Sequence, residues 1–159
     1  LKNTFPDQKP ERLWKHSQGA PLLAQDLLSQ DYFTCRDLVL KTLEEAVNHQ
    51  TNPLVSVASW SSQELRIWVR LLFLLTTDCI KVLCEPSSTY MINEDCRERV
   101  VFLSSQLSLT GWFKFYTKLL QAQKAISTGI AVNAQLMLEG LMLDWCALNR
   151  ASLGRNHAG

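Results

Sequence analysis

The chain is predicted to be all-α, and three observations lead there. No proline follows Pro86, so nothing in the second half removes a backbone donor from a helix. No Asn-Gly or Asp-Gly pair occurs, so the commonest two-residue hairpin turns are missing. Successive stretches instead repeat apolar residues at helical spacing between capping residues. The expected architecture is a compact helical bundle of about five main helices behind a short leading helical piece.

Composition bounds the rest. At 159 residues the chain has room for one domain, or for one domain and a fragment of another. It is 47% hydrophobic and 19% charged, which is globular and not disordered composition. Sixteen basic against fifteen acidic residues leave a net charge of +1, which argues against strong nucleic-acid binding by the domain as a whole. A local basic face stays open. The chain begins at Leu1 and not at Met, so it is read as a piece of a longer protein, and it shows no signal-peptide pattern. The five cysteines, Cys35, Cys79, Cys84, Cys96 and Cys146, form no C-x-x-C pair, and His16, His49 and His157 sit at no ligand spacing. They read as reduced, mostly buried thiols of a cytoplasmic protein without a zinc site.

Along the chain, Pro6 and Pro10 mark an extended start, and residues 11–16 suit a short helix ended by Gly19. Pro21 opens a second short helix with Leu22, Leu23, Leu27 and Leu28 on its apolar face. Asp31 suits the cap of a helix running to about Gln50, with Phe33, Leu38, Leu40, Leu43 and Val47 inward. Asn52 and Pro53 stop it. Leu54 to Trp60 alternates loosely, but no partner strand is in sight, so it is assigned to a loop or a short helical turn. Ser61 and Glu64 read as a capping box for a helix to about Leu83. That helix is apolar apart from a narrow strip of Arg66, Arg70, Thr77 and Lys81, which marks it as central. Arg66, Arg70 and Asp78 interrupt it too often for a membrane span, which needs about 18 uncharged residues.

Pro86, Ser87, Ser88 and Thr89 make a surface loop, and Asn93 or Glu94 opens a helix with Val100, Val101, Leu103 and Leu107 inward. Ser108 and Thr110 bracket the next turn. A helix then spans Trp112 to Ile126, with Phe113, Phe115, Tyr116, Leu119 and Leu120 apolar and Lys114, Lys118 and Lys124 charged. The last helix, Asn133 to Asn149, is capped by Asn133, which can accept from Gln135 or Leu136. Its leucines, with Met137, Met142 and Trp145, surround most of its circumference, so it is expected to be covered on most sides, in part by a second subunit. Glu139 inside it must reach a rim, a hydrogen-bond partner or a cation, a structural partner such as an arginine being expected rather than catalysis. Gly140 costs roughly 1 kcal/mol of helix propensity and suggests a close helix crossing. Residues 151–159 read as a frayed tail.

Signs of chemistry are scarce. There is no phosphate-cradling G-x-x-x-x-G-K-[ST], no G-x-S-x-G and no H-E-x-x-H. Glu44 and Glu45 are neighbours and point about 100° apart on a helix. Glu94, Asp95 and Glu98 suit the positive end of a helix dipole better than a metal. Lys114 and Lys118 could contact phosphate, but opposing acids bring the chain close to neutral, so they are read as the solvated side of an amphipathic helix.

Two patches resemble the delta-prime subunit of the bacterial DNA polymerase III clamp loader. Residues 17–24, SQGAPLLA, are similar to the S-x-G-x-P-x-x-A segment near the end of that family's AAA+ lid. Thr128-Gly129-Ile130, then Asn133, Leu136, Leu138, Glu139, Leu141, Leu143 and Trp145, resemble its closing helix. Leu22 stands where the ATP-hydrolysing loader subunits carry the arginine of G-x-x-R, and a leucine cannot pair with phosphate. The resemblance implies a lid remnant and linker over residues 1–30, a helical collar over 31–150 and a tail over 151–159. It implies packing against the other loader subunits, delta and gamma/tau. It also implies contact with DNA only through the complex, no membrane, no small-molecule substrate, no cofactor and no catalysis by this piece. Trp68, Leu72, Leu136, Leu141 and Trp145 are the residues expected in the core or the subunit interface. The rival reading is a stand-alone helical ligand-binding or regulatory domain, with Trp112 and Tyr116, and Trp60 and Phe73, lining a pocket.

Overall fold

A computed structural model describes residues 32–50, 52–62, 64–129 and 131–156. The expected cap Asp31, the leading helices and the segment 17–24 with Leu22 lie outside these residues. Every element among the described residues is helical. Helix α1 is Tyr32–Val47, α2 Pro53–Ala58, α3 Leu65–Cys84, α4 Arg97–Ser104, α5 Leu109–Ser127 and α6 Ala134–Asn156.

In α1, Tyr32, Cys35, Arg36, Val39, Leu40 and Leu43 recur at helical spacing and turn one face inward. His49 ends it in the left-handed region (φ 54°), where the backbone N–H of Gln50 can reach back to the Glu45 carbonyl at 3.0 Å. Asn52 then caps α2 through Leu54 N–H at 3.0 Å, with Pro53 in the first turn. The ambiguous stretch after Pro53 is therefore a short helix, continued by a tight turn at Ser59–Ser62.

The capping box does not form. Ser61 belongs to the tight turn, α3 starts at Leu65, and Glu64 occupies the cap position without a side-chain cap bond. The Glu64 carboxylate instead accepts from Arg66 Nη2 at 3.0 Å. A tight turn placed directly before the helix takes up the residues that the S-x-x-E spacing had assigned to its first turn.

Helix α3 is the centre of the bundle, touching α1, α4, α5 and α6. Trp68, Val69, Leu71, Leu72, Leu74, Leu75 and Cys79 are buried all round it, and Trp60 stacks on Trp68 with centroids 4.8 Å apart. Asp78 is buried in the same helix and fully engaged. Its carboxylate accepts from Ile92 N–H (3.1 Å), Asn93 N–H (2.8 Å) and Asn93 Nδ2 (2.8 Å). One carboxylate thus pins the end of the proline-containing loop to the core, where its charge is offset by three donors. From the other side Arg97 donates to the Ser88 and Pro86 carbonyls at 2.8 and 2.9 Å.

Helix α4 follows a short turn at Glu94–Cys96 and buries Val100 and Leu103. Val101, expected inward, is exposed, because α4 has only one covered face. Ser108 caps α5 by accepting from Gly111 N–H at 3.1 Å. Trp112, Phe115, Leu119 and Ala122 give α5 its buried face, and the Trp112 Nε1–H donates to the Ser104 carbonyl at 2.9 Å. Gly129 (φ 69°) lies past the end of α5, a backbone state that favours glycine. Asn133 caps α6 through Leu136 N–H at 3.0 Å, and the helix runs on to Asn156, beyond its expected end at Asn149.

Candidate interaction surface

Helix α6 turns only one side to the bundle. Leu138, Leu141, Met142 and Trp145 are buried, whereas Leu136 is 64% and Leu143 53% exposed. Of the five residues singled out from the sequence, Trp68, Leu72, Leu141 and Trp145 lie inside the chain's own core, and Leu136 lies on the surface. The structure brings Trp145 and Leu141 against the core on the same side of α6 and leaves Leu136 on the other.

Of two expectations for α6, one holds and one fails. Glu139 has the hydrogen-bond partner it was expected to need, although this is a glutamine and not an arginine: Gln135 Nε2 donates to its carboxylate at 2.7 Å, one turn back on the same helix. Gly140 has no heavy atom within 4 Å of where a Cβ would stand among the described residues, so none of the described helices crosses there. The glycine is on the exposed side of α6.

Helix α5 has a similar outer face. Phe113 is 48% exposed, and Leu109 and Leu120 are exposed beside it, with Tyr116 half-buried. Lys114 and Lys118 stand apart from this stripe; Lys118 pairs with Asp144 of α6 at 3.3 Å in a half-exposed contact. These apolar positions were visible in the sequence as helix-face residues, but nothing there distinguished an inner from an outer face.

The aromatic pocket of the rival reading is absent at its named residues. Trp60 is taken up by Trp68, Trp112 and Phe115 meet edge-on at 6.4 Å, and Phe73 packs on Tyr116 at 5.0 Å. Rings packed on rings leave no room for a ligand. A cleft of about 460 Å³ does lie elsewhere, between the end of α1, the start of α2 and α6, lined by His49, Pro53, Leu143, Cys146, Asn149 and Arg150. Asn149 Nδ2 and Trp145 Nε1 at its floor have no partner, yet both atoms are closed to water. A ligand in the cleft would not reach them without moving side chains.

Charged side chains among the described residues serve mainly to join helices. Arg36 grips Asp95 with two bonds of 2.9 and 2.8 Å, and Arg99 grips Glu44 with two of 2.7 and 2.8 Å, tying α1 to the start of α4. Burial pulls Arg36 down, but the Asp95 hydrogen bond and the surrounding negative charge outweigh it and leave Arg36 raised. The Glu44 hydrogen bond raises Arg99 in the same way. Asp95, expected to act on a helix dipole, is thus one half of a forked ion pair. Burial holds Cys79 well above the usual thiol range and pushes Cys96 up to about 11, so both stay protonated and unreactive near neutrality. None of the five cysteines forms a disulfide, and only Cys84 is exposed. No group of three or more His, Cys, Asp or Glu that could hold a metal occurs among the described residues. No helix among them is long and apolar enough to cross a membrane.

The class these features define is an all-helical bundle domain that keeps its ionisable groups for internal ties and leaves apolar helix faces uncovered. A profile of the family described as DNA polymerase III, delta subunit, C terminal matches residues 30–146. The chain belongs to that family. No curated protein and no solved structure matches it.

Proposed function

We propose that the chain is the collar-forming part of a clamp-loader subunit, of the delta-prime type, and that it works by holding that subunit against its neighbours during DNA replication. The uncovered apolar face of α6, with Leu136 and Leu143 in the open, is the observation that carries this reading. Family membership supports a place in DNA polymerase III. The delta-prime assignment rests on Leu22 in place of the nucleotide-sensing arginine and on the closing-helix pattern from Asn133 to Trp145. On this reading residues 1–30 are the lid remnant and linker, 31–150 the collar and 151–159 a tail. The partners are delta and gamma/tau, DNA is met only through the complex, and the place of work is the cytoplasm. The piece neither binds nor cleaves ATP.

Reconstitution tests both levels. The chain is added to loader subunits lacking delta-prime and, separately, to subunits lacking delta, and the mass is read by light scattering. Entry into the first set and not the second supports the reading. Entry into the second set alone would replace delta-prime by delta. Failure to enter either would remove the collar function, and heat released on titrating ATP into the chain would count against a non-hydrolysing role.

A further inference from the structure

The uncovered residues of α6 are not scattered. Leu136, Gly140, Leu143 and Ala147 are all exposed and follow one another at four, three and four residues. That alternation is the seam of a two-helix coiled coil, narrower than the broad stripe a helix turns to a globular core. It runs for about 17 Å at the helical rise, the reach of one partner helix. Large and small residues alternate along it, and among the described residues nothing stands within 4 Å of where a Cβ of Gly140 would be. A leucine on either side of an absent side chain makes a hole, so the seam is shaped to receive a large knob.

Helix α5 shows what such a knob-bearing face looks like. Leu109, Phe113, Tyr116 and Leu120 also follow at four, three and four residues, and all four are large. The helix carries Lys114, Lys118 and Lys124 and no acid, whereas the only charges of α6 from Ala134 to Asn149 are Glu139 and Asp144. Size is complementary between the two types of face, and Glu139 and Asp144, which flank the α6 seam on either side, call for basic residues beside a partner's row. Within this chain the two stripes do not meet: α5 reaches α6 around Lys118 and Asp144, in a groove that touches the seam only at its last residue, Ala147.

We propose that the Leu136–Gly140–Leu143–Ala147 seam docks a single helix of a neighbouring loader subunit, one that presents large apolar side chains at the same spacing, flanked by lysines, with an aromatic or equally large residue seated over Gly140. This rests on the collar reading above. The chain's own segment 21–30 is the competing occupant. It offers Leu22, Leu23, Leu27 and Leu28, but its one charge is Asp26, which meets Glu139 and Asp144 with the wrong sign.

The test uses the chain assembled with the other loader subunits. Gly140→Met fills the hole with a flexible side chain that favours a helix, so the variant alone is expected to melt no lower than the parent. It is expected to enter the assembly at least about tenfold more weakly, the loss of one well-filled site. Entry as tight as the parent's, from a variant that folds, overturns the seam while leaving the collar reading standing; a parent chain that does not enter at all overturns the collar reading first. A benzoylphenylalanine in place of Leu143 gives a second readout in the assembled complex. A photo-cross-link to a lysine-flanked helix of another subunit supports the proposal. A cross-link to residues 21–30 of the same chain, or none to protein, overturns it.

Discussion

Helices α3 and α6 look alike as sequence and differ as structure. Both carry apolar residues around most of their circumference, with a few polar positions between. The bundle closes over α3 from α1, α4, α5 and α6, and among its side chains of described burial only Arg66 and Cys84 are exposed. It covers α6 on one side and leaves Leu136, Gly140 and Leu143 open. An apolar circumference therefore states a demand for cover without saying which molecule supplies it. In α3 the demand is met inside the chain, and in α6 part of it is left for something else.

The comparison can be broken most sharply by truncation. Trp68→Ala in α3 removes a buried ring that stacks on Trp60 and is expected to cost about 3–5 kcal/mol. Leu143→Ala in α6 is expected to stay within about 0.5 kcal/mol in the isolated chain. Urea denaturation of the two variants decides it, and a loss above about 2 kcal/mol for Leu143→Ala would mean that this face is covered after all.

The ion pairs offer a parallel contrast of similar size. Asp95→Ala leaves the buried Arg36 guanidinium with only its 3.4 Å contact to Asp37 and is expected to cost about 3 kcal/mol. Asp144→Ala opens only the half-exposed pair with Lys118, worth under about 1 kcal/mol and less in high salt. Chemical denaturation at low and high salt separates the two. A smaller effect is expected at Gly140. Gly140→Ala meets no neighbour and should raise the stability of the isolated chain by about 1 kcal/mol through helix propensity, readable as a higher melting temperature. A lower melting temperature would place a hidden contact at that point.

The weakest probe is alkaline pH. Burial raises Cys96 from 9 to about 11. The folded chain keeps a proton there that the unfolded chain gives up. The stability this brings is complete below pH 9 and is lost as pH rises through about 11. Cys96→Ala should flatten that part of the stability profile, and Cys84, being exposed, should be the first thiol alkylated at neutral pH. An unchanged profile in Cys96→Ala would assign the alkaline loss to other groups.

The sequence by itself determined the all-helical class, the cap at Asn133, the loop around Pro86 and the central place of α3. These follow from interactions within a few residues: a side chain reaching the N–H groups next to it, a proline without a donor, an apolar run too wide for one neighbour. Where local signals overlapped, as at Ser61 and Glu64, the tight turn beside them prevailed. Tertiary structure alone decided that Asp78 would hold the loop at Ile92 and Asn93, that Asp95 would meet Arg36, and that Val101 and Leu136 would face outward while Trp145 faced in. Those outcomes depend on which elements lie within a few ångströms after folding. Helical spacing tells which residues share a face, and only the packed bundle tells whether anything of the same chain lies opposite.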